Sequence, residues 1–283
     1  MLRELLNGHP QVAVAPETHF VRRFWAKRKR YDPLTNEENF ALLLQDVIAI
    51  PAFAELGVAP EELRVEAQNI PRTYEALFAM LMDLFGRKNS AAVVGEKTPN
   101  HLFYTDVLRR WFPSSRFVHL IRDPRAVVNS WRTVPWSTSS IAGDAEIWRK
   151  YQRSAEKARA LPDFMEVRYE DLISKPEVTL SEVSRFLGVA FDSRMIERLN
   201  PGVDVKREPW KSRAAEPITD EPLDRWRRDL SRQEIQDIEV IAYPMMRLYG
   251  YQLESAPGLP RRAKKSILRV GNRLNRMVRR TLR

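Results

Sequence analysis

Arg122, Asp123, Pro124, Arg125 and Ser130 stand at a spacing that can grip an anion. Phe117, Val118, Leu120 and Ile121, with His119 among them, form a short apolar run bounded by polar residues. Such a run predicts a strand buried on both faces of a parallel sheet. Arg122-Asp123-Pro124 ends it, with Asp123 as a helix N-cap and Pro124 at the first helical position, where its missing N–H leaves nothing unsatisfied. A helix then runs to about Trp131. In an open α/β sheet, a corner at the carboxyl end of a strand is where ligands bind. This one presents Arg122, Arg125 and Ser130 near a helix N-terminus, where an anion is the natural guest. The same residues also suit a structural strand-turn-helix whose arginines are merely solvated.

Two more strand ends deliver charged groups. Residues 11–17, QVAVAPE, read as a short strand with Val12 and Val14 on one face and Pro16-Glu17 at its end. Residues 91–97, AAVVGEK, read as a buried strand that carries Lys97 to the ligand side of the sheet. Thr98-Pro99-Asn100 and a helix to about Trp111 follow it. On local grounds alone, Glu17 is an acid stabilised at a helix N-terminus and Lys97 pairs with its neighbour Glu96. Residues 163–171, DFMEVRYED, supply a further strand with Tyr169-Glu170-Asp171-Leu172 at its exit. Tyr169 there is either a stacking platform or a rim tyrosine with its hydroxyl in water.

The elements that must hold these groups are mostly helical. Leu2, Leu5 and Leu6 have helical spacing, stopped by Gly8-His9-Pro10. Residues 18–30 read as one helix ending AKRKR, a solvated basic face. Residues 36–50 and 72–85 are helical, with breaks at Pro51, Pro60 and Pro71, and Leu77, Met80, Leu81 and Leu84 form a core-facing stripe. A long helix covers 141–161, with Ile147, Trp148 and Tyr151 on one side, and another covers 176–187, closed by Gly188. Periodicity vanishes over 206–217, and a last helix, 233–249, contains Pro244. His119, in its apolar strand, reads as a core residue with its bonds satisfied.

These motifs together resemble a family. Arg122, then Asp123-Pro124-Arg125, then Ser130 is similar to the 3′-phosphate-binding segment of sulfotransferases that use 3′-phosphoadenosine 5′-phosphosulfate (PAPS), and the likeness runs from Leu2 to about Tyr251. His9-Pro10, Val12 and the Glu17-Thr18 pair resemble tyrosyl-protein sulfotransferases and their bacterial relatives. Gly95-Glu96-Lys97-Thr98-Pro99 and Tyr169-Glu170-Asp171-Leu172 resemble two further segments of the family. The resemblance implies an α/β fold, a P-loop-like three-layer α/β/α arrangement with a parallel central sheet. It also implies that the N-terminal strand and the loop resembling Gly-x-Pro-Arg-Ser-Gly-Thr-Thr, which cradles the 5′-phosphosulfate, are missing, since the chain opens in the helix that would follow them.

The implied reaction is in-line sulfuryl transfer from PAPS to an acceptor hydroxyl, where charge stabilisation and positioning dominate and no metal takes part. By the same resemblance Glu17 is the base and Lys97 stabilises charge on the sulfate oxygens. Arg122 and Ser130 hold the 3′-phosphate and Tyr169 lies against the adenine. Ser212, helped by Lys211 and Arg213, sits in a late covering loop, and Arg225 replaces the lysine of a Lys-Trp pair. A catalytically inactive relative, binding a nucleotide or a partner, is the alternative.

Composition sets the frame. The chain has 283 residues, 43% of them hydrophobic and 30% charged, enough for one sizeable core. The expected organisation is a domain over 1–254, a linker over 255–260 and a tail over 261–283. Zero cysteines exclude disulfides, thiolate metal sites and cysteine nucleophiles, and fit a reducing compartment such as the cytoplasm. No apolar run has membrane-spanning length. The ten Lys and Arg residues after Pro260, with no acid among them, account for the whole net charge of +10. The balanced body therefore does not read as a nucleic-acid-binding fold. The tail, with Ile267, Val270, Leu274, Met277, Val278 and Leu282 at helical steps, suits an anionic membrane surface or an acidic partner, and equally an exposed C-terminal helix with no partner. His9, His19, His101 and His119 show no metal-ligand spacing.

Overall fold

The computed structural model describes residues 1–197 and 221–255. Ser212, Lys211, Arg213, the 206–217 loop and the 261–283 tail lie outside these residues, as does the linker beyond Ser255. The described residues fall into two compact units, one of 1–117 with 176–197 and the other of 118–175 with 221–255.

The first unit is built on two strands, β1 (Val12–Ala15) and β2 (Val93–Glu96), paired in parallel with Val12 opposite Val93 and Ala15 opposite Glu96. The Tyr74–Lys88 helix packs on both. Its start is capped by Thr73, whose hydroxyl accepts from the Ala76 N–H at 3.1 Å, and its stripe of Leu77, Met80, Leu81 and Leu84 is buried as the spacing predicts. β1 is buried along its whole length. The Leu2–Asn7 helix completes its bonding: the Asn7 amide accepts from the Val14 N–H at 2.6 Å and donates to the Val14 carbonyl at 3.2 Å. The core spreads from there into the Glu37–Ile48 and Pro60–Glu66 helices, with Phe20 stacked on Phe78 at 4.8 Å.

In the second unit β3 (Phe117–Ile121) and β4 (Phe164–Arg168) form another two-stranded sheet. The Arg232–Leu248 helix packs on the Ile141–Ala155 and Pro124–Trp131 helices. Ser231 and Glu234 close a capping box at its start, and Gly250 follows it at φ +73°.

Several expectations are corrected. Residues 18–30 are not one helix but a Phe20–Arg23 turn and a 3₁₀ segment, Trp25–Arg30, preceded by His19 in the left-handed region at φ 53°. The helix expected up to Trp111 is a 3₁₀ segment, Pro99–Phe103, then Thr105–Trp111, broken at Tyr104 (φ −127°, ψ 19°). The long helix ends at Ala155. β2 is half-buried, as is β3 apart from Ile121, because each has a single strand neighbour among the described residues. Gly8 is needed for close approach, not for a left-handed stop: its φ is −71°, and an added Cβ would lie 2.7 Å from the Arg194 carbonyl. Among the described residues no helix is long and apolar enough to cross a membrane.

Candidate active site

The register of β1 and β2 decides which charged groups meet. With Ala15 opposite Glu96, the residues just past the two strand ends emerge side by side. Lys97 Nζ donates to Glu17 Oε1, although the two are 80 residues apart in sequence. The second oxygen, Glu17 Oε2, lies 3.5 Å from His19 Nε2. All three line a cleft of about 240 Å³, together with Arg3, Arg23 and Glu55. The expected local pairing of Lys97 with Glu96 is therefore overturned: Lys97 joins Glu17, while the Glu96 side chain, only 4% exposed, turns inward. The Lys97 and Glu17 side chains are 43% and 24% exposed, and an ion pair that open contributes little to stability. Its place in a cleft points to chemistry instead.

His19 adds to this group. Burial pushes its pKa below the ordinary 6.5, against the opposing pull of Glu17, so the ring is neutral at pH 7. Its left-handed backbone is uncommon for a residue with a Cβ and clusters at functional sites. Sequence reasoning missed both His19 and Glu96. No spacing marks His19. Glu96 does carry a signal, since adjacent residues of a strand face opposite ways and Glu96 and Lys97 cannot both enter the cleft.

In the second unit the strand-to-helix corner forms as expected. Asp123 Oδ1 caps the Pro124–Trp131 helix by accepting from the Arg125 N–H at 2.8 Å, with Pro124 at the first helical position. The Arg122 carbonyl accepts from Trp148 Nε1 at 3.1 Å, and its guanidinium lies 4.3 Å over the Tyr169 ring, whose residue is 8% exposed. Ser130 is exposed near the far end of the same helix. Next to it, Asn129 donates to Asp229 Oδ2 at 3.0 Å, and Arg225 donates to the same oxygen at 2.8 Å. Arg122 is thus brought to Tyr169, and Arg225 to the residue beside Ser130.

Arg125 does not share that role, contrary to the expectation that it helps present the anion site. It is 3% exposed and fully engaged inward. Nε and Nη2 donate to the two Asp123 oxygens at 3.0 and 2.6 Å, Nη1 donates to Glu239 Oε1 at 2.6 Å, and the guanidinium sits 4.1 Å over Trp226. Glu170 locks the corner from the other side, accepting from the Asp123 N–H at 2.9 Å and from the Tyr251 hydroxyl at 3.0 Å. His119 lies with its Nδ1 3.6 Å from Glu166, an electrostatic neighbour more than a hydrogen-bond partner.

A carboxylate–lysine pair at the exits of parallel strands, on an α/β scaffold, has the make-up of a group-transfer site: a base beside a cation. The chain belongs to the sulfotransferase family, whose model matches residues 1–193, so the group it transfers is a sulfuryl group. It is 25% identical over 279 residues to protein-tyrosine sulfotransferase 2 of Gallus gallus, covering 91% of this chain and 67% of that protein. It is 30% identical over 147 residues to an omega-hydroxy-beta-dihydromenaquinone-9 sulfotransferase of Mycobacterium bovis, covering 47% of this chain and 36% of that protein. The sulfotransferase domain of the Synechococcus PCC 7002 olefin synthase shares the fold, with a TM-score of 0.56 at 21% identity over 86% of this chain and 89% of that one.

Proposed function

We propose that this sulfotransferase moves a sulfuryl group from PAPS to an acceptor hydroxyl by in-line displacement. The observation that carries the reading is the Glu17–Lys97 pair in its cleft. Lys97 leaves Glu17 for the sulfate oxygens and stabilises charge on the bridging and non-bridging positions as the sulfur–oxygen bond to the 5′-phosphate breaks. Glu17, released, takes the acceptor hydroxyl's proton as the new sulfur–oxygen bond forms. A neutral His19 leaves Glu17 Oε1 to Lys97 and adds no competing charge. Arg122, Ser130 and Arg225 hold the 3′-phosphate, Tyr169 forms the platform beside it, and Ser212 completes the set from outside the described residues. The names of the relatives point to a tyrosine in one case and an omega-hydroxyl in the other, which supports a hydroxyl acceptor here.

The test is transfer of label from PAPS to a panel holding a tyrosine-containing peptide, a simple phenol and a long-chain primary alcohol. Glu17→Gln is expected to lower kcat roughly 10²–10⁴-fold, the worth of a general base. Calorimetry with adenosine 3′,5′-bisphosphate judges the donor site: Arg122→Ala with Ser130→Ala must weaken its binding, and unchanged affinity defeats the assignment. Tight nucleotide binding with no transfer to any acceptor would make the chain a binding module.

A further inference from the structure

We infer that Glu96 is a positioning residue, which holds Glu17 against Lys97 by enforcing the left-handed turn at His19. The inference rests on Glu17 and Lys97 being the reactive pair.

A carboxylate buried this deeply needs hydrogen-bond donors, and Glu96 gathers them on one oxygen. Glu96 Oε1 accepts from the Thr18 N–H at 2.8 Å, the Thr18 hydroxyl at 2.7 Å and the Thr98 hydroxyl at 2.7 Å. The two hydroxyls pass the restraint on: Thr98 Oγ1 accepts from the His19 N–H at 3.2 Å and Thr18 Oγ1 from the Phe20 N–H at 3.2 Å. Three consecutive backbone N–H groups, those of residues 18, 19 and 20, are therefore fixed by one carboxylate, directly or through one hydroxyl. His101 Nδ1 lies 3.1 Å from the other oxygen, outside hydrogen-bonding geometry, and supplies an electrostatic contact.

The turn so fixed is one the chain would not choose. His19 sits at φ 53°, ψ 26°, which a residue with a Cβ holds only where its surroundings dictate it. Thr18, fully buried, is the anchor, and its two neighbours Glu17 and His19 both reach the cleft. Because Thr98 follows Lys97 directly, the same carboxylate also ties down the exit of β2. Glu96 thus sets the distance between the base and the lysine while touching neither reacting atom.

The experiment is a double-mutant cycle on the full chain, with PAPS and a tyrosine-containing peptide as probes, backed by amide hydrogen exchange. Glu96→Ala is expected to lower kcat roughly 100-fold, the effect of a misplacement near 1 Å. The KM for PAPS should stay within about twofold of the parent, and Glu96→Gln, which keeps one acceptor oxygen, should restore kcat to within about fivefold. In a Glu17→Gln background Glu96→Ala should cost far less than the roughly 100-fold it costs in the parent, because its effect runs mainly through the placing of Glu17. Multiplying losses would overturn the inference. Exchange tests the clamp without turnover: the Thr18 amide should lose protection in Glu96→Ala and keep it in Glu96→Gln, and unchanged protection in Glu96→Ala refutes it. Should Glu96→Ala fail to fold, Thr18→Val, which removes one donor at constant volume, is judged by the same cycle. If Glu17→Gln alone leaves kcat intact, the base assignment falls and the exchange result still decides the clamp.

Discussion

Replacing Arg125 with methionine separates a structural arginine from a ligand-binding one. The guanidinium spans two buried carboxylates, Asp123 and Glu239, whose side chains are 11% and 1% exposed. Methionine fills most of the space over Trp226 but leaves both carboxylates without their counter-charge. Breaking a buried pair from one side costs about 3–5 kcal/mol. The lower half of that range is expected here, since other donors remain. Asp123 keeps the Arg125 backbone N–H, and Glu239 keeps the Glu254 and Ser255 N–H groups at 2.8 and 3.0 Å. Loss of the cation over Trp226, about 1–2 kcal/mol where desolvated, brings the total to about 5 kcal/mol. Against a typical global stability of about 5–15 kcal/mol this is a large fraction. At about 2 °C per kcal/mol for a chain of this size, Tm should fall by about 10 °C. Urea unfolding followed by tryptophan fluorescence measures it directly, because Trp226 and Trp148 both lie in the affected unit. Arg122→Ala, by contrast, should change stability by about 1 kcal/mol or less while weakening adenosine 3′,5′-bisphosphate. A midpoint for Arg125→Met within about 1 kcal/mol of the parent would refute the buried-network reasoning. So would lost nucleotide binding at unchanged stability.

Two further outcomes follow from the first unit. Burial, and then the hydrogen bond to Asp46, pushes the Tyr31 hydroxyl from its ordinary 10.0 up to about 12. A raised folded-state pKa gives stability that is complete below pH 10 and lost as pH rises toward 12, so urea midpoints should decline across that window and decline less steeply in Tyr31→Phe. Gly8→Ala should destabilise by about 1–3 kcal/mol, because the new methyl group would sit 2.7 Å from the Arg194 carbonyl and 2.9 Å from Met195 Cα. Thermal unfolding within error of the parent would show that the Leu2–Asn7 and Arg194–Glu197 helices are not in contact as described.

Much of the fold was legible because it rests on local rules. Asp123-Pro124 announced a helix start, Leu77, Met80, Leu81 and Leu84 announced a buried stripe, and Gly188 announced a C-terminal stop, realised at φ +82°. What was not legible depends on partners remote in sequence. The 18–30 segment has helical composition, yet the bonds from Thr18 and His19 to Glu96 and Thr98, 78 and 79 residues on, impose a turn that local propensity would refuse. Tertiary hydrogen bonding outweighs a weak intrinsic preference there.

The same distinction explains the arginines. Arg122 and Arg125 are three residues apart and equally cationic, so the sequence offers them as a matched pair around an anion. Their fates diverge because Glu239, 114 residues from Arg125, enters the corner from another helix and, together with Asp123, engages one guanidinium on all three nitrogens. Once that charge is neutralised inside, the proposed attraction of the corner for phosphate rests on Arg122 and the helix N-terminus, with Arg225 near Ser130 as the second cation assigned to the nucleotide among the described residues. Binding of the nucleotide should accordingly be sensitive to Arg122 and to Arg225. Were Arg225→Ala alone to leave adenosine 3′,5′-bisphosphate affinity untouched at low salt, the second cation would have to be dropped from the proposed donor site, leaving Arg122 as its one assigned cation among the described residues.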